Sequence, residues 1–151
     1  MDVFGKRKPE NGEEAPYFRN SVWSWHPLAD YCMEVAPLVT ALCENWHTND
    51  GDGLDAEGAR RLADVLELEI LSGHTAEYAQ RRQQELDAMP DKVCEVCKGT
   101  GKRTDMKMKD DCNGCKGTGK QRPFETYYSF DVENVIEFAH FLRESEGFEI
   151  W

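Results

Sequence analysis

Cys94-Glu95-Val96-Cys97-Lys98-Gly99-Thr100-Gly101 and Cys112-Asn113-Gly114-Cys115-Lys116-Gly117-Thr118-Gly119 decide how this chain is read. Both segments spell C-x-x-C-x-G-x-G, and 14 residues separate Cys97 from Cys112. A C-x-x-C turn lets two sulfurs reach one metal. Two such turns complete the tetrahedral four-thiolate shell that structural zinc prefers. Each turn is sharp and must aim backbone N–H groups at the sulfurs. Glycine accepts the positive φ that this demands, and Gly99 and Gly101 are matched by Gly117 and Gly119. The two halves form an internal repeat, expected to hold one zinc per chain in a structural role.

Other uses of paired cysteines fit less well. Two disulfides belong to secreted chains, and the first residues here carry no signal-peptide pattern. A redox C-x-x-C sits beside a βαβ unit, and no such unit is legible. Iron–sulfur clusters also take four cysteines, but the glycine pattern favours zinc. Catalytic zinc keeps one position open beside three protein ligands, whereas four cysteines close the shell.

Residues 94–119 resemble the cysteine-rich zinc domain of DnaJ-type chaperones, in which C-x-x-C-x-G-x-G repeats pair across a hairpin. The resemblance implies that Cys94, Cys97, Cys112 and Cys115 are the zinc ligands. That family usually carries four repeats and two zincs, so two repeats imply one zinc. It also implies a chaperone-like adaptor as one functional expectation. The remainder of the chain resembles small bacterial or phage proteins, a likeness that brings no activity with it.

The 151 residues suffice for one domain with a small zinc appendage. The longest uncharged apolar run, Val35 to Cys43, falls far short of the ~20 residues of a membrane span. Free thiols and a zinc site point to a reducing cytoplasm. Net charge is −11, unevenly spread. Residues 91–122 hold nine Lys/Arg against five Asp/Glu, and the remainder holds nine against 24. An acidic body therefore carries a mildly basic hairpin. The acidic body disfavours phosphate contacts, so nucleic acid could be met only through residues 98–122. A basic protein surface would suit it better.

Residues 1–16 are polar, with Lys6-Arg7-Lys8, Pro9, Gly12 and Pro16, and read as a flexible tail. Residues 17–90 read as a helical body in which Val22, Trp23 and Trp25 anchor the tail. From Pro27 to His47 apolar residues recur at helical spacing on both sides of Pro37, which predicts one kinked helix. Cys32 and Cys43 read as core thiols. Asn49-Asp50-Gly51-Asp52-Gly53 fails the calcium-loop pattern at positions 1 and 12 and reads as a turn. Asp55 caps a helix to Ser72, with Ala59, Leu62, Ala63, Leu66 and Ile70 inward and Gly73 ending it. Thr75 caps a third helix to Ala88. The hairpin occupies residues 91–122, with Met106 and Met108 in a charged tip. In 123–151, Phe124, Thr126, Tyr128 and Phe130 alternate as an extended segment. Asp131 then caps the last helix, with Val132, Val135, Ile136, Ala139 and Leu142 inward, before Gly147.

The expected architecture is mostly α, about four helices forming a small core with an inserted zinc-binding β-hairpin of DnaJ type. No phosphate loop, dinucleotide fingerprint, nucleophile elbow or H-E-x-x-H motif is present. His26, His47, His74 and His140 lack metal spacing. The sequence thus predicts no catalytic residues. It points to a cytoplasmic protein-interaction module, with a chaperone-like adaptor and a regulator of nucleic-acid machinery as alternatives.

Overall fold

The computed structural model describes residues 1–10, 12–103 and 110–151. The chain forms two compact units, Met1–Gln83 with Tyr128–Trp151, and Gln84–Tyr127. The second is wider than the expected 91–122, because it takes in the end of a helix before the hairpin and a 3-10 turn after it.

In the first unit, β1 (Asp2–Gly5), β2 (Tyr17–Arg19), β3 (Asp52–Leu54) and the last strand, β6 (Phe148–Ile150), make one antiparallel sheet in the order β2-β1-β6-β3. Successive side chains alternate across a strand. Val3, Phe18, Leu54, Phe148 and Ile150 are accordingly buried. Residues 2–5 are therefore not part of a flexible tail: β1 is an inner strand of the sheet. It was missed because Val3 alone carries its buried face, too short a pattern to read. Gly53 lets β3 close on β6. A Cβ there would lie 1.9 Å from the Phe148 carbonyl oxygen.

Five α-helices are found among the described residues. α1 (Val22–Val35) is capped by the Ser21 hydroxyl, which accepts from the Ser24 N–H, and carries Pro27 inside it. Trp23 and Trp25 are thus helical residues. The single kinked helix over 27–47 is not formed. Pro37 disfavours helical backbone at Ala36, which sits at φ −130°, ψ 50°. A one-turn α2 (Pro37–Thr40) follows, then turns to Trp46. Val39, Cys43 and Trp46 remain buried, while Leu38 and Leu42 face solvent. Two indoles lock this region: Trp25 Nε1 donates to the Trp46 carbonyl (2.6 Å), and Trp46 Nε1 to that of Thr40 (3.0 Å).

α3 (Ala56–Ser72) is capped by Asp55, which accepts from the Gly58 N–H. It ends at Gly73 in the left-handed region, φ 85°. Ala59, Leu62, Ala63 and Leu66 are buried, and Ile70 packs partly buried against the core. α4 (His74–Ala88) begins one residue before Thr75. Thr75 is therefore inside the helix, and its buried hydroxyl bonds the Tyr31 hydroxyl at 2.9 Å. α5 (Val132–Ser145), capped by Asp131, packs against α3, β1 and β2. Val135, Ala139 and Leu142 are buried as expected, and so are Phe138 and Phe141. Val132 and Ile136 are half-buried. The extended segment expected at 124–130 is instead a 3-10 helix over Phe124–Tyr127. Pro123 starts the turn, with its carbonyl accepting from both the N–H and the hydroxyl of Thr126. No helix among the described residues is long and apolar enough to cross a membrane. Met106 and Met108 lie outside the described residues.

Candidate metal centre

The second unit is built on a hairpin. β4 (Lys92–Val93) pairs with β5 (Lys120–Gln121), and Lys102 bridges to Asp111 farther along. Between these pairs each arm turns through a C-x-x-C loop. The arms are then tied across: the Cys94 N–H donates to the Gly119 carbonyl (2.9 Å) and the Cys112 N–H to that of Gly101 (2.8 Å). The base of the unit is held by Arg122, whose guanidinium donates to the Leu86 and Met89 carbonyls (2.6 and 2.7 Å). It thereby satisfies acceptors at the end of α4.

The two turns repeat one another residue by residue. Lys98 and Lys116 are left-handed at φ 52° and 51°, followed by Gly99 and Gly117 at 88° and 86°. Gly101 and Gly119 follow at 72° and 74°. The Gly101 N–H donates to Cys97 Sγ (3.3 Å) and the Gly119 N–H to Cys115 Sγ (3.2 Å). Thr100 Oγ1 donates to the Cys97 carbonyl and Thr118 Oγ1 to the Cys115 carbonyl, both at 2.8 Å. These threonines brace the turns, a role the sequence reading overlooked. The signal was available: the identity of the repeat runs on through Lys-Gly-Thr-Gly-Lys at 98–102 and 116–120.

All four sulfurs converge. Their Sγ atoms lie within 4.8 Å of one another, and every one of the four residues is buried. Cys94 and Cys112 are 3.9 Å apart, Cys97 and Cys115 3.7 Å. A disulfide needs about 2.05 Å. A tetrahedron with metal–sulfur bonds of about 2.3 Å has edges of about 3.8 Å. The spacing therefore fits four ligands around one metal ion. No other cluster of three or more metal-ligating side chains occurs among the described residues.

The surroundings favour thiolate at Cys97 and oppose it at Cys112. Burial opposes charge on Cys97, but the Gly101 N–H and the neighbouring Cys115 and Cys94 thiols outweigh it and bring its pKa down to about 6. Burial pushes Cys112 up, to about 11. The remaining cysteines behave differently. Cys32 and Cys43 are buried in the other unit, and burial raises both thiols, Cys43 to about 12. They are core residues held as neutral thiols.

Beside the metal centre lies a cleft of about 270 Å³ lined by Lys92, Val93, Gln121, Arg122, Phe124 and Tyr127 among others. Val93, Val96, Phe124 and Tyr127 are each more than half exposed. In the first unit His26 and His47 stack face to face, with ring centroids 4.6 Å apart and an 8° interplanar angle. His47 Nε2 lies 3.1 Å from Asp30 Oδ1, and Tyr128 sets its ring edge-on to His26.

The chain matches no family model, no curated protein and no solved structure.

Proposed function

We propose that this chain is a zinc-stabilised, DnaJ-type hairpin module for protein–protein interaction, without catalytic activity, working in a reducing cytoplasm. The observation that carries the reading is what fills the hairpin's interior. Its buried cluster consists of Cys94, Cys97, Cys112 and Cys115. A hairpin whose buried cluster is four thiols has too little apolar burial to order itself, so metal binding supplies its folding free energy. Zinc is the metal best matched to a closed four-thiolate shell. Among the described residues, Val93 and Val96 of the hairpin, and Phe124 and Tyr127 of the 3-10 helix that follows it, are exposed. Exposed aliphatic and aromatic groups beside a rigid turn suit a protein partner.

The test is co-purification from cell extract with the wild type, a Cys94→Ser/Cys97→Ser variant and a Val96→Ser/Tyr127→Ser variant. The reading expects the same partner to be lost from both variants. Capture of identical partners by all three removes the hairpin as the contact site.

A second reading rests on Lys98 and Lys116, exposed and held in the same backbone conformation by the two repeats. Such a pair could meet phosphates. Direct nucleic-acid binding then predicts a salt-dependent mobility shift, and no shift at low salt removes it.

A further inference from the structure

The strand edges of the metal hairpin are not equally satisfied. In an antiparallel pair, positions that bond across the pair alternate with positions whose N–H and C=O point outward. The Cys94 N–H donates to the Gly119 carbonyl opposite it. The neighbouring pair, Val93 and Lys120, therefore points its backbone groups outward. The same holds for Lys102 and Asp111, because the flanking Arg103 and Cys112 N–H groups bond across to the Asp110 and Gly101 carbonyls.

Two of these four outward positions are already filled. The Lys120 N–H donates to Thr118 Oγ1 at 3.3 Å, and that oxygen lies 2.9 Å from the Lys120 carbonyl. Thr100 does the same for Lys102, at 3.3 and 3.2 Å. At Asp111 the edge carries a charge, paired with Lys102, and charged side chains guard strand edges. Val93 is the exception. Its outward N–H and C=O have no partner among the described residues, and its apolar side chain is 64% exposed.

An unpaired N–H and C=O on a strand edge suit one kind of occupant, an extended backbone. Val93 also lines the cleft of about 270 Å³ beside the metal centre, together with Phe124 and Tyr127. Those two rings stand edge to face, with centroids 6.2 Å apart. The cations of the cleft are engaged: Lys92 with Glu125 at 3.4 Å, and Arg122 with the Leu86 and Met89 carbonyls and Asp91. Gln121 is held by the Gly114 carbonyl, and Glu95 is exposed. What remains for an occupant is chiefly the apolar and aromatic surface of Val93, Phe124 and Tyr127. A second copy pairing edge to edge would offer its own Val93, whose short side chain leaves most of the cleft empty. We infer that the β4 edge at Val93 binds an extended segment of a partner protein by strand addition, with a large apolar side chain of that segment seated in the cleft beside Phe124 and Tyr127. This mode of binding rests on the reading of the hairpin as a protein-contact module and specifies the conformation in which the partner is held.

The experiment uses the full zinc-loaded chain and the peptide Lys-Val-Thr-Phe-Thr-Val-Lys, made plain and in two N-methylated forms. One form carries its methyl groups on the amides of the apolar residues, the other on those of the threonines. A strand presents only one of these two rows of amides to its neighbour. The plain peptide and one form therefore bind, and the other form binds about tenfold or more weakly. Binding also protects the Val93 amide from hydrogen exchange. Val93→Pro removes the N–H at an outward edge position that proline tolerates, and weakens binding about tenfold or more. Val93→Thr keeps the N–H and binds as the wild type does. The methylated peptides and the exchange readout use the wild type alone, so they decide the question even where Val93→Pro loses its metal. Equal binding, or equal loss of binding, by the two methylated forms overturns the inference, as does a Val93 amide left unprotected in the complex. So does a wild-type dimer in sedimentation that Val93→Pro dissociates, because a second copy would then occupy the edge. If the peptide fails while a co-purified partner is still lost from Cys94→Ser/Cys97→Ser, strand addition falls and the contact role of the hairpin stands. If that variant captures the same partners as the wild type, the contact role falls and strand addition with it.

Discussion

Gly101 crosses Gly117 so closely that a Cβ on residue 101 would lie 2.3 Å from the Gly117 carbonyl oxygen. The relation is reciprocal: a Cβ on Gly119 would lie 2.4 Å from the Gly99 carbonyl oxygen. The last glycine of each repeat thus passes over the first glycine of the other, and this crossing brings the two cysteine pairs onto one point. Gly101→Ala should therefore cost more than the ~1–2 kcal/mol of a left-handed non-glycine residue, because the obstacle is backbone. Native mass spectrometry should find the variant unable to retain its metal. Gly73→Ala is the control. It has a similar φ of 85° but nothing within 4 Å of the added methyl, so it should lose about 1 kcal/mol and keep the metal. Full metal occupancy in Gly101→Ala would show that the crossing is not required.

Removal of the metal should unfold the second unit and spare the first. The hairpin's buried cluster is the four cysteines, while the sheet and helices of the first unit share a separate core built on Trp25, Trp46, Phe138 and Phe148. A strong chelator should abolish hydrogen-exchange protection at the Cys94 and Cys112 amides. It should leave the β1–β6 amides protected. Simultaneous loss of both sets would show that the two cores fold as one.

The hairpin was legible in the sequence because one chemical demand fixed several residues at once. Thiolate pairs, left-handed glycines and their repetition all report the same geometry. α3 and α5 were legible for a similar reason: a cap, an apolar period and a stop agreed at each. The four-stranded sheet was not. Its strands are three or four residues long, and each shows at most two buried side chains, fewer than a period needs. β1 and β6 also lie at opposite ends of the sequence described. Their pairing of Val3 with Ile150 is set by tertiary packing, to which no local pattern testifies. The break at Ala36 was misread because buried Val39, Cys43 and Trp46 mimic a continuing helical phase through turns.

Thr75 separates local from tertiary roles. As a helix cap it would serve only its own backbone, but its hydroxyl meets the Tyr31 hydroxyl within the core. Thr75→Ala should strand a buried hydroxyl and cost about 1–3 kcal/mol. In a background of Tyr31→Phe the same change should cost clearly less. Urea denaturation of the four proteins of this cycle measures the coupling. Strict additivity would return Thr75 to a local role.

The stacked imidazoles make stability depend on pH. His26 is held below the ordinary histidine value of 6.5, first by burial and then by the facing His47, while Asp30 pulls weakly the other way. Because the folded state disfavours the proton, the unfolded chain binds more protons as pH falls through 6.5. Stability from this site is complete above that pH and declines as acidification approaches the His26 pKa. Below the His26 pKa no further loss accrues from this residue. Asp30→Asn removes the one group that favours the charge, so His26 should titrate lower still. His47→Ala removes the facing ring and opens the site to water, so His26 should return toward 6.5 and the acid-side slope should flatten. Nitrogen-detected NMR titration of the imidazoles reads these shifts directly, and thermal melts between pH 5 and 8 read their consequence. A His26 pKa at or above 6.5 in the wild type would mean that Asp30 outweighs burial and the His47 ring, and the expected acid lability would reverse its sign.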